Sequence, residues 1–258
     1  MKVIGIIFFL FFPLMTNVCA YTIFSDDFNR TSLGTAWSSY IERDQSSGGS
    51  VGISNNKLVI NNGGDEKIGD NFAYTDLGAT FDQAVITGEF TYTRGTTSDD
   101  ESLYIGLNAN VSEIMYDEEY GADSWYTYGK GYAFQMNPAG SYFINDTSGT
   151  TGNLKSGTTA FSVSTTYSFE IQYFADKRME VRFWTGTRPS TANVFYTPGT
   201  VPTYSGTYLT FGITDEGTFT LDNIMVTSDL PLGGVPEPSS FIMLGICIIG
   251  LAGIARKK

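Results

Sequence analysis

Between Glu113 and Tyr132 six aromatic residues, Tyr116, Tyr120, Trp125, Tyr126, Tyr128 and Tyr132, are interleaved with acids and glycines. Aromatic faces stack on the apolar faces of pyranose rings while carboxylates accept hydrogen bonds from sugar hydroxyls, so this is the content of a glycan-binding loop. The same rings would equally serve as a satellite cluster covering one end of a β-rich body. A second set, Asp26, Asp27 and Asp222, offers hard oxygen ligands. Should the strands that carry them lie side by side, the three carboxylates suit a structural Ca2+ ion without His or Cys. The competing role is local, with Asp26 and Asp27 capping their own turn and Asp222 bonding to nearby amides.

What the chain lacks narrows the chemistry further. Its 258 residues include no His, and its two Cys, Cys19 and Cys247, both fall in hydrophobic terminal segments. Ser-His-Asp and Cys-His catalysis, His-ligated metals and disulfides are therefore excluded from the body, leaving carboxylate, Ser-Lys or Tyr chemistry to any enzyme. The acidic clusters Asp99-Asp100-Glu101 and Asp117-Glu118-Glu119 with Asp123 read as solvated loop charge. The formal charge is −12, and setting aside Lys2, Glu237, Arg256, Lys257 and Lys258 leaves 11 basic against 26 acidic residues, or −15. A surface that acidic repels phosphate backbones, so nucleic acid is not a partner.

The elements that must position these groups are strands. Gly, Thr, Ser, Asn and aromatics abound, and long helical stretches are missing. Period-two alternation marks Lys57 to Asn61 and Gln83 to Arg94, then Leu103 to Ala109, Phe169 to Tyr173, Met179 to Phe183, Leu209 to Ile213 and Phe219 to Val226. Ala175-Asp176-Lys177-Arg178 reads as a hairpin connection. At Asp222-Asn223 the apolar phase switches from Phe219/Leu221 to Ile224/Val226, which predicts a β-bulge. No internal repeat or boundary divides residues 21–229, so they read as one domain.

Both ends carry addresses. Residues 1–20 have the form of a secretory signal peptide, an apolar run from Val3 to Leu14 followed by Val18-Cys19-Ala20, with cleavage expected after Ala20. Residues 230–235 are a linker. Residues 236–258 contain Pro236-Glu237-Pro238, an uncharged apolar run from Phe241 to Ala255 and then Arg256-Lys257-Lys258. As a helix the run reaches about 22 Å, a short single transmembrane helix whose basic end stays cytoplasmic. This tail resembles the PEP-CTERM sorting signal of Gram-negative bacteria. The resemblance implies recognition by an exosortase-like membrane transpeptidase, transient anchoring in the inner membrane, removal of the tail, and delivery to the cell surface or extracellular matrix. An ordinary uncleaved anchor is the alternative.

Phe24-Ser25-Asp26-Asp27-Phe28-Asn29-Arg30 with Leu33-Gly34-Thr35-Ala36-Trp37 resembles the entry to concanavalin A-like and laminin-G-like jelly rolls, and Phe219 to Val226 resembles their closing strand. The implied fold is all-β, a sandwich of two antiparallel sheets, flanked by the signal helix and the transmembrane helix. Glucanases of that fold present a Glu-x-Asp-x-x-Glu run on one strand, and none occurs here. The expected function is thus a non-catalytic exported surface protein that binds extracellular polysaccharide weakly. The alternatives are a structural or adhesive protein without a small ligand and, third, a secreted polysaccharide-active enzyme.

Overall fold

A computed structural model describes residues 20–41, 49–62, 70–94, 102–109, 132–146, 153–197, 206–214 and 217–228. Among them the chain forms fifteen strands and no helix. One sheet contains β1 (Tyr21–Asp26), β3 (Ser50–Ser54), β4 (Lys57–Asn62), β6 (Ala84–Arg94), β11 (Thr166–Tyr173), β12 (Met179–Trp184), β13 (Val194–Tyr196) and β15 (Gly217–Ser228). The other contains β2 (Ser38–Ile41), β5 (Asp70–Asp76), β7 (Ser102–Ala109), β8 (Tyr132–Met136), β9 (Ser141–Asp146), β10 (Asn153–Thr158) and β14 (Tyr208–Thr214). Their spatial orders are β13-β12-β11-β6-β15-β4-β3, with β1 also on β15, and β10-β9-β8-β7-β14-β5-β2. Every pairing is antiparallel, so the expected two-sheet sandwich is the fold. The signal segment and the tail lie outside the described residues.

The core is the sum of the inward faces. Ile86, Phe90 and Tyr92 on β6, Phe169 and Ile171 on β11, and Phe219 and Leu221 on β15 meet Leu103, Ile105 and Leu107 on β7 and Phe211 and Ile213 on β14. All are at most 3 % exposed. Period-two alternation puts each of these sets on one face, and the outward sets stay polar or half-solvated.

β15 is the strand around which its sheet is arranged. β6 pairs along one edge, while the other edge is shared, β4 taking Gly217 to Leu221 and β1 taking Ile224 to Ser228. Between those stretches the register to β6 slips, from Asp222 opposite Glu89 to Met225 opposite Thr87. Asn223 takes up the extra residue at φ 52°, a left-handed conformation that Asn tolerates better than most residues. This bulge returns Ile224 and Val226 to the core after Phe219 and Leu221. It also demands glycine across the ladder, because a Cβ on Gly88 would lie 2.5 Å from Ile224 Cδ1 and 2.9 Å from Phe169 Cε1.

The turns follow from local chemistry. Asn55 and Asn56, at φ 52° and 58°, make the two-residue β3–β4 hairpin whose twist matches that of its strands. The β11–β12 hairpin closes with Lys177 N–H donating to Phe174 C=O (2.8 Å) and Phe174 N–H donating to Arg178 C=O (3.0 Å), Lys177 being left-handed at φ 64°. Asn137 and Gly140 repeat that arrangement between β8 and β9.

Candidate functional site

The sequence points first to the turn after β1. Asp26 sits at the end of β1 opposite Ile224, two residues beyond Asp222 on β15. Its carboxylate is already surrounded: Arg30 Nη1 and Nη2 donate to its two oxygens at 2.6 Å each, Trp37 Nε1 donates at 2.7 Å and the Phe28 amide at 2.8 Å. Burial alone would raise its pKa. The Arg30 hydrogen bonds, then the Phe28 amide, the Trp37 indole and the Arg30 charge outweigh that and hold it below the ordinary aspartate value. Arg30 also donates to Ser32 C=O (2.9 Å) and Leu33 C=O (3.2 Å), so one guanidinium ties the whole turn.

The Ca2+ ligand set expected of Asp26, Asp27 and Asp222 is not assembled here. Asp27 accepts from the Asn29 amide (3.1 Å), and Asp222 accepts from the Asn223 amide (2.8 Å) with Lys57 Nζ 3.7 Å away. Among the described residues no three acidic, His or Cys side chains gather as a metal site would require. An ion at Asp26 would have to displace the Arg30 guanidinium that now holds its two oxygens. An open notch of about 590 Å³ lies beside it, between this turn and the segment from Asn223 to Met225. Trp37 continues the link inward, 5.5 Å from Phe24, 5.6 Å from Phe28 and 6.0 Å from Phe211 of the opposite sheet.

A different site emerges on the outer face of the seven-stranded sheet. Phe72, Tyr104 and Ala133 form a second buried cluster there, against which the half-buried Tyr40, Tyr74 and Tyr208 pack. Tyr40 stacks on Phe72 (6.0 Å, 23°), Phe72 meets Tyr104 edge-on (6.4 Å, 70°), and Tyr74 meets Tyr208 edge-on (5.8 Å, 74°). Glycines make the floor. A Cβ on Gly212 would stand 2.3 Å from Phe72 Cδ1, and one on Gly106 would stand 2.7 Å from the Tyr104 hydroxyl oxygen, so the rings lie over bare backbone. Burial pushes the Tyr104 phenol above its usual range, so it stays neutral.

At one end of this face stands a carboxylate. Asp76 is directly opposite Tyr208 and two residues from Tyr74, so all three share the outer side of β5 and β14. The Thr207 hydroxyl and the Gly78 amide, the latter at 2.8 Å, hold Asp76 ionised and lower its pKa. Two part-exposed phenol rings beside an exposed acceptor can take a pyranose, one face stacked and its hydroxyls bonded. Sequence reasoning missed Tyr74, Asp76 and Tyr208. The available signal was Phe72, Tyr74 and Asp76 at alternate positions, an outward set that looks like a core set until Ala73 and Thr75 are seen to point inward.

The remaining expected residues, Tyr116, Tyr120, Trp125, Tyr126 and Tyr128, lie outside the described residues, as do Pro236, Glu237, Pro238, Arg256, Lys257 and Lys258. Ala20 is exposed immediately before β1. The segment from 110 to 131 leaves β7 at Ala109 and returns at Tyr132 of β8, both in the middle of the seven-stranded sheet and at the end where Tyr208 and Ala109 pair.

Residues 234–257 match the PEP-CTERM protein-sorting motif. The chain carries a PEP-CTERM tail. A PEP-CTERM tail implies export and processing at a membrane, so the sandwich is the cargo. No curated protein sequence matches the chain. Solved structures do. The carbohydrate recognition domain of Emp47p aligns over 80 % of this chain and 96 % of its own at 11 % identity with a TM-score of 0.53. The exoplasmic/lumenal domain of VIP36, with Ca2+ and Man2 bound, aligns over 79 % and 85 % at 10 % identity with a TM-score of 0.53. Lectin UEA-II in complex with galactose aligns over 80 % and 98 % at 10 % identity with a TM-score of 0.51. At such identities the likeness establishes the fold, a lectin-like jelly roll.

Proposed function

We propose that this PEP-CTERM protein is a non-catalytic surface or matrix component, released from its tail by an exosortase-like transpeptidase, whose sandwich binds neutral glycan weakly. The observation that carries the reading is the outer-face group of Tyr74, Tyr208 and Asp76, set at the end of the sheet from which the aromatic segment of Trp125 departs. Its lectin-like neighbours support it, as their structures include sugar-bound forms. The lack of His and of a paired-carboxylate strand run supports binding over cleavage. Stacking on one or two part-exposed rings contributes only a few kcal/mol before ordering costs, so affinities of roughly 10⁻³ to 10⁻⁵ M are expected, useful through many copies on one surface.

A glycan array followed by calorimetry tests this with the wild type, Tyr208→Ala, Asp76→Asn and Trp125→Ala. Binding of a neutral polysaccharide that weakens at least tenfold in one of these variants supports the reading. Absence of any binding, or binding indifferent to all three, returns the protein to a structural or adhesive role, and release of reducing sugar would make it an enzyme.

A further inference from the structure

An unpaired sheet edge exposes a row of N–H and C=O groups to which another strand can add, and folded proteins guard such edges by shortness, bulges or charge. Most edges of this sandwich are guarded. β13 is three residues long, and its Phe195 C=O accepts from Lys155 Nζ. β10 carries that lysine and a register shift between Asn153 and Lys155, β1 has a shift between Thr22 and Phe24, and β2 is four residues long. β3 has none of these devices. Its five residues, Ser50-Val51-Gly52-Ile53-Ser54, include no charge and no proline and pair with β4 in unbroken register. They end the eight-stranded sheet, and among the described residues no strand lies on their other side.

The two-residue turn at Asn55-Asn56 makes Ser54 and Lys57 a hydrogen-bonded pair, and strict alternation then does the same for Gly52 with Val59. Val51 and Ile53 therefore aim their N–H and C=O groups at the open edge. Their side chains face the core yet stay half-buried, although Leu58 and Ile60 opposite them are 0 % exposed. Gly52 faces outward into open space: a Cβ there would meet nothing within 4 Å, and its φ is not left-handed. Glycine weakens a strand interior, and no contact among the described residues asks for one here.

In either direction β3 runs serine, β-branched residue, glycine, β-branched residue, serine. We propose that β3 is a homodimer edge, pairing antiparallel with β3 of a second copy about a two-fold axis at Gly52. In that register Val51 lies opposite Ile53 of the partner subunit. Both aim their backbone groups outward, so each such pair exchanges both hydrogen bonds. The two β-branched side chains also pack on each other along the core side. Gly52 meets its own counterpart as a non-hydrogen-bonded pair, at a point where any charge would face its like. Directly opposed residues share a face, so the axis stands perpendicular to the joined sheets and both seven-stranded sheets lie on one side of them. The outer faces bearing Tyr74, Tyr208 and Asp76 then point the same way, which makes two weak sites bivalent. The pairing itself does not depend on what those sites bind.

The test uses the full chain in detergent, with Cys19→Ser and Cys247→Ser so that no native thiol remains. Across the axis the two Gly52 Cα atoms would lie about 4.5 Å apart, within disulfide reach for Gly52→Cys. Oxidised glutathione accepts the electrons and protons that the two thiols lose. With it, Gly52→Cys is expected to form covalent dimer about tenfold faster than Ala175→Cys, an exposed hairpin position away from β3. Sedimentation of the thiol-free protein should show a concentration-dependent dimer. Val51→Pro removes only an outward N–H, and Gly52→Lys sets like charges face to face, so each should raise the dimerisation midpoint about tenfold with circular dichroism unchanged. Gly52→Lys fills open space in the single chain, so it tests the edge even where the proline variant fails to fold. Both bodies are acidic, and added salt should therefore tighten the dimer. A chain that stays monomeric, whether or not β3 accepts a strand from another protein, overturns the proposal. So does a dimer that is indifferent to Gly52→Lys, weakened by salt, or crosslinked no faster at position 52 than at position 175.

Discussion

Arg30 grips Asp26 with two parallel hydrogen bonds, one to each carboxylate oxygen, at 2.6 Å. The Asp26 side chain is 7 % exposed and Arg30 31 %, so the carboxylate depends on its partner while the guanidinium has water as an alternative. Replacing Arg30 by Met should therefore cost more than an exposed ion pair would, about 2 kcal/mol, since it strands a carboxylate that accepts charged hydrogen bonds. For a body of this size that is a fall of about 4–8 °C in melting temperature, measurable by calorimetry. Arg30→Lys should recover only part of it, because an ammonium cannot bond both oxygens in a plane.

The same pair sets an acid sensitivity. Asp26 has a folded pKa below its unfolded value near 4, so its contribution is fully present above about pH 4 and is lost as pH falls through the folded pKa. Melting temperatures of wild type and Asp26→Asn should differ most at pH 5 to 7, and the gap should narrow as pH falls below about 4 and through the folded pKa. Other carboxylates titrate equally in both proteins, so the narrowing isolates Asp26. A gap that stayed constant down to pH 2 would remove the electrostatic account of the turn.

How much of this was legible beforehand depends on which face a strand turns inward. β4, β6, β7, β11, β12, β14 and β15 carry their large apolar residues on the core side, so period-two alternation located them, and the phase switch at Asp222-Asn223 marked the bulge. β5 inverts the rule: Phe72 and Tyr74 point out while Ala73 and Thr75 point in, so its alternation reads as a core set and conceals the aromatic face that they build. The proximity of Asp26 to β15 followed from pairing the two end strands. The role of Arg30 did not, because only the turn geometry, with Phe28 left-handed at φ 50°, brings position 30 back onto position 26.

Glycine at 212 is a requirement of that hidden face. A methyl there would meet Phe72 Cδ1 at 2.3 Å and Asn71 C=O at 3.1 Å, so Gly212→Ala must swing the Phe72 ring off the sheet and disturb its stack on Tyr40. The expected loss is about 1–3 kcal/mol, as for other overpacked positions. Because the clash is specifically with the ring, Gly212→Ala in a Phe72→Ala background should cost much less than in the wild type. Chemical denaturation of the four proteins gives the coupling directly, and strict additivity would show that Phe72 is not what Gly212 accommodates.

Glu170 accepts from two arginines on the outer face of the eight-stranded sheet, Arg182 at 3.0 Å and Arg188 at 2.5 Å, and Arg182 donates as well to Glu180. Arg188 is 47 % exposed in its side chain and Arg182 only 10 %, so the two contribute unequally. Arg188→Ala should change stability by less than about 1 kcal/mol, the exposed-pair range. Glu170→Gln should cost more, about 2 kcal/mol, because Arg182 then keeps one carboxylate partner in place of two while remaining largely shielded from water. Urea titration at low and high salt separates the cases. The Arg188 effect should shrink as salt screens it, and the Glu170 effect should largely persist.

Processing gives the last prediction. β15 ends at Ser228 with Val226 fully buried and Ser228 Oγ donating to Gln83 C=O, so contacts within the described residues fix the last strand to its end. Cleavage near Pro236-Glu237-Pro238 should leave its stability intact. The surface-released protein is expected to lack everything from about Phe241 onward, to start at Tyr21, and to melt at the temperature of the full chain in detergent. Intact-mass analysis of the exported fraction reads both ends at once. Recovery of Arg256-Lys257-Lys258 on released protein would mean that the tail is a permanent anchor, and a processed form melting several degrees lower would mean that residues after Ser228 pack against the sandwich.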